Sequence, residues 1–181
     1  CLTHKEDLFN QLVNELTNIK KQTKEESLYI KRAIYIRKLE FYHHLKRYKE
    51  ANSFAFVAEN YLNNGKSDKN TFNTKYLQLL IIRAFIENNN FNAAIAISLK
   101  RYKIVGPDFS SSILKLFEYI AHYKLGNYDY LLYSIDSWVK TIQSKRKQFP
   151  AEKVMIKFFR KVCNITNNEE KKNLTKDTII Q

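Results

Sequence analysis

Ala121-His-Tyr-Lys-Leu-Gly-Asn-Tyr-Asp-Tyr-Leu-Leu132 places a Gly-Asn pair between two long segments of helical periodicity. Before it, Ile113, Leu114, Leu116, Phe117, Ile120 and Ala121 recur at the spacings of one helix face, over about Phe109 to Leu125. After it, Leu131, Leu132, Ile135, Trp138, Val139 and Ile142 do the same over about Tyr128 to Ser144. Glycine accepts the left-handed conformation that ends a helix, so a two-residue turn here predicts two antiparallel helices joined tightly.

The pattern recurs upstream. A polar turn, an aromatic residue and a small or apolar residue three positions later occur at Tyr48 with Ala51, Phe91 with Ala94, and Tyr128 with Leu131. The aromatics lie 43 and 37 residues apart, close to the ~34–47-residue periods of helical solenoids. The remaining periodic segments predict helices over about Glu6 to Gln22, Leu28 to Leu45, Glu50 to Leu62, Thr71 to Asn88, Asn92 to Tyr102 and Ala151 to Cys163. Asn63-Asn64-Gly65 and Val105-Gly106-Pro107-Asp108 interrupt them, and Phe149-Pro150 opens the last. The expected organisation is a single domain over 1–165. It comprises an N-terminal helix in 1–27, three helical hairpins in 28–147 and a capping helix in 148–165, followed by a polar, fraying tail in 166–181.

With Gly126 and Tyr128 at its Gly and Tyr positions, the quoted stretch resembles the central turn of a tetratricopeptide repeat. Leu131 stands where that family usually has Ala, whereas the other two turns supply Ala51 and Ala94 but lack the Gly. The chain is also similar in style to the later part of long Bacteroidetes helical-repeat proteins. The resemblance covers about Leu28 to Lys147. It implies an all-α, right-handed superhelical solenoid of about three to four antiparallel hairpins, in which the first helix of each pair lines a concave face that receives peptides or partner helices. The lining residues expected on that basis are Glu40, His43, Arg83, Glu87 and Tyr123.

Composition agrees with an all-helical fold. Three Gly and two Pro in 181 residues are too few for a sheet built on tight hairpins, and 44% hydrophobic with 27% charged residues is an ordinary globular balance. A formal charge of +13 raises a polyanionic partner. The cations nevertheless fall in small groups, such as Lys20-Lys21, Lys100-Arg101 and Lys145-Arg146-Lys147, several of them near predicted helix ends where they complement the helix dipole. Aromatics, at 14%, are interleaved with cations and could stack on single-stranded nucleic acid, but recur at the helical spacing of packing residues.

Chemistry-bearing constellations are sparse. His43 and His44 are adjacent, about 100° apart on a helix, so they do not converge on one metal ion. The glycines stand singly, which excludes a glycine-rich phosphate loop. Cys163 lies on an apolar helix without a histidine nearby in sequence and reads as packing. The expected function is therefore a non-enzymatic scaffold without cofactor or metal, part of a longer protein, that binds a protein or peptide partner; the alternative is a basic module binding nucleic acid. Two cysteines and no membrane-spanning run fit a cytoplasmic setting, or, if Cys1 is the lipidated first residue of a mature lipoprotein, a membrane-anchored one.

Overall fold

The computed structural model describes residues 2–20, 23–64, 71–105 and 109–165, with side chains described at 6–20, 23–64, 71–100 and 111–165. Among the described residues it is all-helical: α1 (Leu2–Asn18), α2 (Lys24–His44), α3 (Tyr48–Asn64), α4 (Phe72–Glu87), α5 (Phe91–Val105), α6 (Phe109–Lys124), α7 (Tyr128–Gln143) and α8 (Pro150–Asn164). Cys1, the breaks at Gly65 and at Gly106-Pro107-Asp108, and the tail at 166–181 lie outside the described residues. The chain divides into two compact units, Cys1–Asn90 and Phe91–Gln181.

In the first unit α2 packs against both α3 and α4, α3 packs against α4, and α1 lies on α2. The two-sided contact of α2 follows from its sequence, since Ile34, Ile36, Leu39 and His43 point inward from more than one face. The middle of α4, apolar almost all round, is interior as its composition dictates, with Leu77, Ile81, Ile82 and Phe85 fully covered. In α1, Phe9 stacks face to face on Phe41 at 4.2 Å and Val13 is buried, whereas Leu8, Leu12 and, just past its end, Ile19 are exposed. The single stripe expected from the sequence is thus split, because those residues spread over an arc wider than one neighbouring helix can cover.

In the second unit α5 packs on α6, α6 on α7, and α8 on both α6 and α7. Its core gathers Tyr119, Leu131, Ile135, Trp138, Ile142, Ile156 and Phe159. Tyr119 meets Trp138 and Phe159 edge to face, and its hydroxyl donates to the Ser134 carbonyl at 3.2 Å. Burying this phenol therefore leaves no unmet donor.

The three turns picked out by the sequence pattern share one hydrogen-bonding scheme. Arg47, Asn90 and Asn127 N–H donate to the carbonyls of Tyr42, Phe85 and His122, and Lys46, Asn89 and Gly126 N–H to those of His43, Ile86 and Tyr123. These are the paired bonds of a Schellman ending, and the residue between them is left-handed each time, at φ 56° for Lys46, 58° for Asn89 and 75° for Gly126. The aromatic residue that follows opens the next helix, and Ala51, Ala94 and Leu131 are wholly covered.

Candidate functional site

Four of the five residues expected to line a groove meet on the α2/α4 side of the first unit, where they mostly satisfy one another. Arg37 pairs with Glu40 at 2.8 Å, and the Tyr76 hydroxyl donates to the other Glu40 oxygen at 2.8 Å, a bond that raises the phenol above its ordinary pKa. Arg83 Nε donates to Glu87 Oε1 at 2.8 Å. The second oxygen of Glu87 lies 2.6 Å from His43 Nδ1, while His43 Nε2 lies 3.3 Å from the Leu80 carbonyl oxygen. His43 is buried and spans the two helices as a bracket. Tyr123 belongs to the second unit, where it packs against the α6–α8 core and lies 6.0 Å from Tyr128, ring to ring.

The second unit buries three polar clusters. Arg146 grips Glu152 through both guanidinium nitrogens and stacks over the Phe149 ring at 4.2 Å. Glu152 also accepts the Ser112 hydroxyl and the Phe149 backbone N–H. Burial alone would raise the Glu152 carboxyl, but these donors outweigh it and hold the pKa below the ordinary value. Lys115 Nζ contacts both Glu118 oxygens, at 3.0 and 2.9 Å, in a nearly dry pair. His122 accepts at Nδ1 from Asn127, its Nε2 has no hydrogen-bond partner among the described residues, and burial lowers its pKa, opposed by Glu118 and aided by Lys115.

A different surface of the first unit remains open. Between α2 and α3 runs a groove of about 510 Å³, lined among others by Lys24, Leu28, Lys31, Tyr35, Val57 and Tyr61. Lys31 Nζ sits over the Tyr61 ring at 5.5 Å, and one helical step further along Lys38 Nζ sits over Phe54 at 5.4 Å. Tyr35 stands edge to face between Phe54 and Tyr61, and Tyr61 donates to the Leu28 carbonyl at 2.9 Å, so the rings form a fixed wall. Lys24, Lys31 and Lys38 fall on one side of α2, about 20° apart at each seven-residue step, while Glu25, Glu26 and Glu40 project elsewhere. None of the three lysines forms an ion pair among the described residues.

The sequence carries this groove as a heptad of lysines in register with aromatics, a signal hidden when cations are sought as adjacent pairs. Lys24 is informative for a second reason. It occupies the first position of α2, just after the Thr23 cap, where the helix dipole disfavours a cation.

Among the described residues no group of three or more His, Cys, Asp or Glu side chains is placed to hold a metal ion, and no helix is long and apolar enough to cross a membrane. Comparison with family models, curated proteins and solved structures finds no match to this chain.

Proposed function

We propose that the chain is a non-enzymatic scaffold for protein or peptide partners, built of tetratricopeptide-like helical pairs in a right-handed superhelix and working in the cytoplasm. The observation that carries this reading is the contrast between the two sides of α2. Toward α4 its charged groups are matched within the fold, at Glu40 with Arg37 and Tyr76 and at His43 with Glu87. Toward α3 it leaves a groove edged by unpaired lysines and floored by apolar side chains, with Val57 half exposed. An open apolar channel with a charged rim is the form in which helical proteins receive other chains.

The alternative, a nucleic-acid-binding module, draws on the +13 charge. Along the α2/α3 face the Tyr61 and Phe54 rings already carry lysine ammonium groups, which takes those ring faces from stacking bases. A photo-reactive residue placed at Val57 in the cell distinguishes the two, with one at the exposed Lys140 as control. Polypeptide adducts at Val57 above the control are expected. Nucleic-acid adducts there would replace the scaffold reading with the alternative, and adducts no more frequent than at Lys140 would remove it.

A further inference from the structure

We infer that the α2/α3 groove takes an amphipathic helix whose glutamates or aspartates recur every seven residues, so that the partner is an acidic helical segment of another protein. This inference rests on the scaffold reading and deepens it. Lys24, Lys31 and Lys38 rise about 10.5 Å apart along α2, and only a second α-helix laid alongside repeats a side chain at that interval on one face. The charges favour an anionic partner, since the polar side chains that line the groove with Lys24 and Lys31, among them Ser27, Asn60 and Asn64, include no carboxylate.

The rings add pre-organisation. Lysine loses much rotamer freedom when it pairs, but here two of the three ammonium groups are already held over aromatic faces at 5.5 and 5.4 Å, so less freedom remains to be lost on binding. Below the lysines, Leu28 and Val57 offer apolar surface for the alternate face of the incoming helix. The run from Lys24 to Lys38 spans about 21 Å, or four helical turns, which sets the length of the segment at roughly 15–20 residues.

The test uses the full chain and three fluorescent probes: a helical peptide of about 20 residues with a Leu stripe and glutamates at seven-residue spacing, the same peptide with lysines in their place, and a single-stranded oligothymidine. Anisotropy titrations at low and at physiological salt are expected to show the glutamate peptide binding at least about tenfold tighter than the lysine peptide, with weakening as salt rises. A Lys24→Gln, Lys31→Gln, Lys38→Gln triple variant changes the two lysines that line the groove and the one that continues their row along α2, none of them in an ion pair among the described residues, and should reduce that binding about tenfold. The separate variant Val57→Glu should reduce it through the floor. Matching far-UV circular dichroism melts certify both folds.

Equal affinity for the two peptides, binding unchanged in the triple variant, or tighter binding of oligothymidine would each overturn the inference. If polypeptide adducts form at Val57 in cells while the glutamate peptide does not bind, the acidic chemistry is wrong and the scaffold survives. Absence of those adducts removes both.

Discussion

His43 and His122 both lie in the last turn of a helix just before a Schellman turn, one register position apart, and are about equally buried at 6% and 7% exposure. Their surroundings are opposite. His43 faces acceptors with both nitrogens, the Glu87 carboxylate and the Leu80 carbonyl. His122 accepts from Asn127 with one nitrogen and has no hydrogen-bond partner among the described residues at the other, inside a site whose burial lowers its pKa. A buried imidazole is thus an interhelical bracket in one unit and an incompletely satisfied core group in the other. The same division holds for the charges: in the first unit Glu87 reaches the half-exposed Arg83, whereas Glu152 and Glu118 of the second are enclosed with their cations.

The largest effect should come from breaking the enclosed side of this comparison. Glu152→Ala leaves Arg146 and the hydroxyl of Ser112 without their carboxylate and removes the acceptor for the Phe149 N–H. A loss of about 3–5 kcal/mol is expected for one member of a buried pair, against about 1–2 kcal/mol for His43→Leu, where Glu87 loses the imidazole but keeps Arg83. Urea melts followed by circular dichroism compare the two; equal losses would mean that enclosure does not set the cost.

Acidification sharpens the same contrast through the second unit. The His122 pKa is lowered, so below its ordinary value of about 6.5 the unfolded chain takes up a proton that the folded chain resists. Stability contributed here is complete above that pH and falls as the pH drops toward the folded value. Glu152 is also lowered, and its share is lost in turn as the pH falls below about 4.5 toward its folded value. Fluorescence of Trp138, the one tryptophan and a core residue of this unit, should therefore report a melting temperature that declines as the pH falls below about 6.5 and further below about 4.5. In His122→Phe the first decline should vanish and the second remain. If the first persists, His122 is not its source.

Helix existence, turn positions and the buried Ala51, Ala94 and Leu131 were legible because each follows from local periodicity and a turn residue. Leu39, fully buried, and Arg32, nearly so and donating to Thr71 at 2.8 Å, were not legible, because the hydroxyl that receives Arg32 comes from 39 residues further along the chain. The groove residues had the reverse problem. For Glu40, His43, Arg83 and Glu87, charge within apolar helices must be exposed or paired, and pairing comes within each helix at Arg37–Glu40 and Arg83–Glu87 and across α2/α4 at His43–Glu87. Arg146, from a basic run that suggested a helix end, meets Glu152, while Ser112 arrives from 34 residues away, a convergence no local pattern encodes.

The smallest expected effects lie in the turns themselves, where the two units can be compared one backbone angle at a time. Lys46 and Gly126 adopt the same left-handed conformation at the same position of the same motif, and only the glycine does so without a steric penalty at Cβ. A Cβ added at Gly126 meets nothing within 4 Å, so Gly126→Ala isolates backbone strain from any clash and should cost about 1 kcal/mol. Lys46→Gly should move the other way by up to about 1 kcal/mol, reduced by the extra freedom glycine gives the unfolded chain. Opposite signs in paired thermal melts are required if the shared hydrogen bonds define one turn. A destabilising Lys46→Gly would mean that the lysine side chain contributes more than its backbone angle costs.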